Sequence, residues 1–564
     1  MKKTTSRIEF EGQALTVTEG QSLAAALTQA GERAFRHTAK GGQRGIFCGM
    51  GVCQDCLVTV NSQPNQRACM TRVEDGMTVE RQVALPVFAD APSHMASQTA
   101  NQKANHALAL EPDVLIIGGG AGGLSAAISA ANAGASVVVL DERKVAGGQY
   151  YKQAADGSVL DGQQADGARL VQKARESGAQ LIGGVELWGA FDGLLFLGQR
   201  AEGPVVARPK TAIIATGAYE RPVMVPGWTL PGVMTTGAAQ TLWRSYKTLP
   251  GKRLAICGSG PLNVQAALEL AKGGAQIVHL AERAPNAVSQ PFTALSMALA
   301  DPKLTLQGLG MLNGLRKHGI AVQNQSELAR IEQGDNQLLA TFRRAGGQER
   351  TVEVDGVIMN AGFEPQNEIL RLLGARMTYD EAMGHLRCEK SDTMETNVSG
   401  LYAIGDCTGL GGAPAARVEG EIAGACAAAA SGHGMGIVDA LLRRELVRYR
   451  RFQAKLWTLY DIAPPDMAQV PRETTICRCE DLALGDVCDG LDDAPGHVGT
   501  LKRSTRVGMG RCQGRYCGPV AARMVAQATG KPIEDLSFFA PRVPIKPVAI
   551  GAILAAEQAL DQAE

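Results

Sequence analysis

The sequence lacks a charge imbalance, a long apolar run and a histidine cluster, and each absence removes a class of function. Lys+Arg and Asp+Glu number 56 each in 564 residues, so no long-range field recruits nucleic acid or an anionic surface. No stretch offers about 18 uninterrupted apolar residues, and the Ala-rich run over 420–430 is too short and too small-sided to span a bilayer. The start, MKKTTSRIEF, has no apolar segment behind its two lysines, which argues against a secretory signal. A cytoplasmic protein, at most peripheral at the inner membrane, is expected. His37, His279 and His385 carry no triad-like or metal-ligand spacing. In the middle of the chain Cys257, Cys388, Cys407 and Cys426 form no C-x2-C or C-x4-C pair, so a reducing dithiol is missing there.

Length and a hydrophobic content of 45% point to a globular chain of about three to four domains. Eight of the thirteen cysteines fall into two sets of four. The first is Cys48, Cys53, Cys56 and Cys69, in CGMGVCQDC and RAC; the second is Cys477, Cys479, Cys512 and Cys517, in ICRC and RCQGRYC. In a reducing compartment such clusters hold metal rather than form disulfides. Four thiolates are the ligand set of a [2Fe-2S] cluster, and C-x4-C-x2-C with a distant fourth cysteine is close to plant-type ferredoxin spacing. Glycines 45, 49 and 51 keep the first loop open, so that backbone N–H groups can point at the sulfurs. Zinc is the rival metal in both sets, more so in the second, whose C-x-C, spacer of 32 and C-x4-C is less distinctive.

Between the sets the order becomes βαβ twice. DVLIIGGGAGG, LSAAISAANAGA and SVVVLDER read as strand, helix and strand. Gly118, Gly120 and Gly123 satisfy G-x-G-x-x-G, with Gly122 in the same run, and Asp141, followed by Glu142, ends the next strand where a carboxylate can bind a ribose. RLAICGSGPL, NVQAALELAKGGA and QIVHLAER repeat the pattern with Gly258 and Gly260. There Asn263 replaces the third glycine, Ala281 stands at the ribose-acid position, and Glu282 comes one residue late; NAD(H), another adenine nucleotide or an empty fold all remain open. Gly148-Gln149, Thr216-Gly217 and Gly405-Asp406 resemble the FAD motifs of flavoproteins with two dinucleotide domains.

The expected architecture is multidomain α/β. A β-grasp ferredoxin-like module spans 1–88, with a hairpin over 7–18, a helix capped by Ser22 and a last strand near 57–60. A linker follows over 89–110. A discontinuous FAD-binding domain takes 111–235 and 355–440, an NAD-like domain 236–354, and a helical segment with the second cysteine set and an extended PRVPIKP tail 441–564. The run Arg448, Arg450 and Arg451 reads as a solvated helix face.

These modules together resemble a fusion of the ferredoxin-like and FAD-bearing subunits of hydrogen cyanide synthase and the opine (octopine and nopaline) oxidases. The FAD-bearing part is also similar to the alpha subunits of dye-linked proline dehydrogenase and heterotetrameric sarcosine oxidase, and the last cysteine region to bacterioferritin-associated ferredoxin. The resemblance implies FAD, two [2Fe-2S] clusters and, as a family feature, an FMN at a subunit contact. It implies a separate flavin-bearing partner, akin to glycine and D-amino-acid oxidases, that takes electrons from a small amine or amino acid. Electrons would leave to a quinone, a dye or oxygen. No third dinucleotide fingerprint opens such an oxidase domain here, no catalytic acid or base stands out, and a folate-binding extension is not expected.

Overall fold

The computed structural model describes residues 5–83, 107–460, 463–493 and 496–561; most of the expected linker lies outside them. Alternating apolar residues form the N-terminal hairpin, Thr5–Phe10 against Gln13–Thr18, with Ile8, Phe10 and Val17 buried. The Ser22 hydroxyl accepts the Ala25 N–H and caps helix α1 (Leu23–Gln29). Leu23 and Leu27 of α1 are fully buried, each stabilising by about 1.5–3 kcal/mol. The sheet closes differently from the expectation. Leu57–Val60 is not its last strand but pairs with Gln63–Arg67, and Thr78–Arg81 lies between it and the first strand, parallel to that strand. This strand is four residues long and buries only Val79 fully, so its pattern is too brief to stand out.

The first dinucleotide fold is a parallel sheet in the order Gln180–Gly183, Val137–Asp141, Val114–Ile117, Thr211–Ile214, Leu401–Ala403. Val114–Ile117 is buried throughout, as an unbroken apolar strand covered on both faces must be. Helix α2 (Ala121–Asn132) leads out of it. The second fold is another parallel sheet, Val233–Thr235, Gly356–Asn360, Arg253–Gly258, Gln276–Glu282, Val322–Asn324, with helix α3 (Pro261–Lys272). Its strands reach outside the expected 236–354 on both sides. Leu108–Leu110, placed in the linker from sequence, is a strand paired with Gly203–Ala207.

Helix α4 (Gly412–Ala430) returns against α2 at backbone distance. A Cβ on Gly420 would lie 2.2 Å from the Gly122 carbonyl oxygen, and one on Gly424 2.3 Å from that of Ala126. Helix α5 (Ala440–Leu459) leads to the C-terminal module, which includes helix α6 (Gly518–Thr529). The tail lies along the first fold, with the Ile545 N–H donating to the Trp188 carbonyl at 2.9 Å. Among the described residues no helix is long and apolar enough to cross a membrane.

Buried ion pairs lock the three parts together. Asp55, beside the first cysteine set, accepts from Arg36 at 2.8 Å and from Arg478, between Cys477 and Cys479, at 2.6 Å. Arg44 pairs with Asp481 at 2.6 Å. Arg67 reaches Glu142 at 2.8 Å and Glu186 at 2.6 Å on the first dinucleotide fold.

Candidate functional site: a nucleotide edge flanked by two cysteine sets

All five strands of the first sheet run parallel, so the turns that follow them open on one edge, where ligands of such folds bind. Gly118, Asp141, Thr216, Gly217, Gly405 and Asp406 all lie there. Gly118 has φ 110°, and a Cβ on Gly123 would sit 1.9 Å from the Gly118 carbonyl oxygen, so the turn requires both glycines. Gly120 faces Gly148 across the loop; a Cβ on Gly148 would fall 2.7 Å from the Gly120 Cα. Asp141 accepts the Gly119 N–H at 2.6 Å and the Arg143 N–H at 2.7 Å, and burial raises its carboxyl against the pull of those donors. Asp406 accepts from the Gly411 and Gly412 N–H groups at 3.1 and 2.8 Å, and burial raises it too. The Thr216 hydroxyl donates to the Gln366 carbonyl at 2.6 Å, and Gln149 sits half-buried on the short helix Gly148–Tyr151. This cradle of small residues and two carboxylates at strand ends fits a flavin dinucleotide.

Two expected members do other work. Glu142 turns away from the loop to Arg67 and to Lys546 of the tail. Gly122 faces α4, where a Cβ would lie 3.0 Å from the Ala416 carbonyl oxygen.

The second loop is built on the same plan. The sequence offset of its acid is corrected by the structure. A register shift between Leu254 and Ala255, opposite Ile277 and His279, inserts one residue into the neighbouring strand. Glu282 thereby reaches the place that Asp141 holds in the first fold. It accepts the Gly260 N–H at 3.1 Å, the Ala284 N–H at 2.9 Å and the Ser259 hydroxyl at 2.6 Å. Asn263, at the third-glycine position, donates to the Cys257 and Asn360 carbonyls at 3.3 and 3.0 Å and accepts from the Thr236 hydroxyl at 2.7 Å. The Trp457 indole of α5 lies against Gly260, 3.8 Å from where its Cβ would be. Tyr460 lies near Glu282, and burial followed by that carboxylate raises its phenol.

In the second cysteine set the Cys517 thiol donates to the Cys477 sulfur at 3.8 Å, and in both sets the thiols act on one another's ionisation in pairs, Cys48 with Cys53, Cys56 with Cys69 and Cys479 with Cys512. The Met50 and Cys53 N–H groups donate to the Cys48 sulfur at 3.5 and 3.4 Å, and the Cys69 N–H to the Cys56 sulfur at 3.5 Å. Burial would raise the Cys48 thiol, yet Cys53 and the backbone donors bring it down to about 7. Cys512 is likewise brought to about 7, first by Cys479. Among the described residues no three His, Cys, Asp or Glu side chains converge as a single-ion site. Two pairs per set, with N–H groups aimed at sulfur, suit two irons bound by two thiolates each.

Sequence reasoning missed two cations at this edge. Lys390 donates to Glu419 and Thr408, both at 2.8 Å, while Glu419 accepts the Gly405 N–H at 2.8 Å. Lys152 is buried beside the Gly148 helix, and desolvation, then Arg143, pushes its ammonium down to about 7. Neither lies in a motif; only the fold brings them there.

Three family models match the chain. The pyridine nucleotide-disulphide oxidoreductase family model matches residues 112–432, a 2Fe-2S iron-sulfur cluster binding domain residues 3–84, and the sarcosine oxidase A3 domain residues 472–558. The first implies FAD and the second a [2Fe-2S] cluster. An opine oxidase subunit of Rhizobium meliloti (strain 1021) is 31% identical over 78% of this chain and 98% of its own length. The HcnB subunit of hydrogen cyanide synthase from Pseudomonas aeruginosa is 29% identical over 78% of this chain and 97% of its own. The alpha subunit of sarcosine oxidase from Rhizobium meliloti (strain 1021) aligns with 97% of this chain at 25% identity, through 57% of its own length. L-proline dehydrogenase from P. horikoshii shares the fold over 98% of both chains, with a TM-score of 0.73 at 22% identity. With its glycine loops, strand-end acids and N-terminal cysteine set, the chain belongs to the pyridine nucleotide-disulphide oxidoreductase family, as a flavin and [2Fe-2S] oxidoreductase subunit related to the opine oxidases.

Proposed function

We propose that the chain is the electron-transfer subunit of a multi-subunit amine or amino-acid dehydrogenase. Its first dinucleotide fold would hold FAD, through Gly118, Gly120, Gly123, Gly148, Asp141, Thr216, Gly217, Gly405 and Asp406. Cys48, Cys53, Cys56 and Cys69 would hold one [2Fe-2S] cluster, and Cys477, Cys479, Cys512 and Cys517 a second. Bound flavin supplies the conversion between two-electron and one-electron chemistry, and iron-sulfur clusters carry single electrons.

The observation that carries this reading is the meeting of all three sites. The Arg143 guanidinium, two residues past Asp141, donates to the Gly49 carbonyl of the first cysteine loop at 3.1 Å. The Tyr219 hydroxyl, two residues past Gly217, donates to the Arg515 carbonyl between Cys512 and Cys517 at 2.8 Å. These bonds would fix the spacing of the redox sites. Substrate oxidation is assigned to a partner subunit with its own flavin, which would take an opine, a proline derivative, glycine or a similar amine. FMN at the contact with that partner is part of the same reading.

Glu282 favours a second reading, an NAD(P)H-dependent reductase, because it gives the second loop its ribose acid. Trp457 weighs against it by lying where a pyrophosphate would approach Gly260. Native purification separates the two. A copurifying oxidase partner, and bleaching of the complex by an amine or amino acid under anaerobic conditions, is the expected result. An isolated chain that is bleached by NADH would overturn the proposal in favour of the reductase.

A further inference from the structure

Helix Pro291–Ala300, between two strands of the second fold, is rich in apolar residues and yet buries none of them. Phe292 is 87% exposed, Leu295 59% and Leu299 74%, and their spacing of i, i+3 and i+7 puts them on one face. Val288, in the turn before the helix, is exposed as well. A single exposed leucine needs no explanation, but a helix that turns a row of large apolar side chains to water marks a contact surface. With ten residues the helix is about 15 Å long, too short to span a bilayer.

The charges beside this face are of one sign. Over residues 284–326 Asp301 is the only acid, and it is buried, capping the next helix through the Leu304 N–H at 3.0 Å. The apolar helix packs along α5, whose residues include six cations and one acid. Arg448 of α5 reaches Asp301 at 3.4 Å. Arg444, Arg451 and Lys455 recur with it at helical spacing and are exposed. Among the described residues none of those three is paired with a carboxylate. A chain of zero net charge thus carries a local basic surface next to an exposed apolar helix.

We infer that this face docks on an anionic phospholipid surface, with Phe292, Leu295 and Leu299 entering the acyl boundary and the cations of α5 meeting the headgroups. A helix with an apolar face and a basic surround lies in the plane of such an interface, held by the apolar area it buries and by attraction to anionic lipid. A protein partner would have to bring an apolar socket with an acidic rim; a bilayer of anionic lipid presents both at once. The docking face is made of this chain's own residues and does not depend on which cofactors the chain holds.

The test is flotation of the natively purified protein with vesicles of phosphatidylglycerol and phosphatidylcholine, and with vesicles of phosphatidylcholine alone, at low and at raised salt. The expected result is flotation with the anionic vesicles only, reversed by salt. Phe292→Ser combined with Leu299→Ser should weaken binding about tenfold for each apolar side chain lost. Arg451→Glu combined with Lys455→Glu should weaken it about fivefold or more for each charge reversed. All four residues are exposed, so the fold should hold in both variants. Leu536→Ser, at an exposed apolar residue of the C-terminal module, should leave binding unchanged. Absence of flotation with anionic vesicles, equal flotation with both kinds of vesicle, or equal binding by wild type and the Phe292 and Leu299 variant overturns the inference. So does loss of a copurifying subunit from that variant, which would give the face to a protein partner. Iron and flavin are measured on the same samples, and a failure to float with both retained leaves the electron-transfer reading standing.

Discussion

The two glycine loops show how far one local plan can diverge in what it offers a ligand. Both follow a buried parallel strand, both open a helix, and both end with a carboxylate that accepts loop N–H groups, Asp141 in one and Glu282 in the other. In the first, helix and strand approach so closely that Gly123 has no room for a Cβ. In the second, Asn263 fills that gap with three hydrogen bonds, and Trp457 lies over the glycine that a pyrophosphate would need. A glycine pattern sets the turn; the neighbours decide access.

The largest expected effect comes from closing the first loop. Gly123→Val places side-chain carbon against the Gly118 carbonyl, a clash worth more than the about 1–3 kcal/mol of ordinary overpacking. Flavin absorbance should vanish from the purified variant, and retention of full flavin would show that the loop is not the flavin site. Next is the opening of the second loop. Trp457→Ala should cost about 3–5 kcal/mol of stability as a large-to-small change in a buried site, and it should bind NADH more tightly than the wild type does. A nucleotide titration followed by fluorescence checks this, and equal affinity in the two proteins would remove Trp457 as the barrier. Asn263→Ala strands the Thr236 hydroxyl and two carbonyls, at a cost of about 1–3 kcal/mol, visible in denaturant unfolding; flavin content should not change.

A separate effect is a pH dependence on the first fold. Lys152 is held down to about 7 by burial, whereas in the unfolded chain it keeps its proton to about pH 10. Between those limits the unfolded state binds more protons, so stability rises with pH. Lys152→Met should melt higher than wild type at pH 7, with the difference shrinking toward pH 10. A constant difference across that range would show that Lys152 does not titrate as described.

Much of this was legible in the residues because it is local. The first loop with Asp141, Gly405 and Asp406, the Ser22 cap and the spacing of both cysteine sets can be read from short motifs with a known physical purpose. What escaped is set by long-range contact or by a single irregularity. Glu282 looked one position late because the inserted residue in its strand cannot be seen from composition. Thr78–Arg81 is too short to announce itself, although it completes the N-terminal sheet. Asp55 and Arg478 are 423 positions apart, so their pairing cannot be seen before the two modules are docked. Glu142 follows the motif acid in sequence but is drawn away by Arg67 and Lys546, which come from opposite ends of the chain.

The most direct measurement is a cofactor analysis of the natively purified protein, with iron, acid-labile sulfide, zinc and flavin determined on one sample. Two irons and two sulfides for each cysteine set, together with FAD and without zinc, are predicted. Zinc in place of iron in either set, or a chain without flavin, would contradict the description of this protein as a flavin and two-cluster electron carrier.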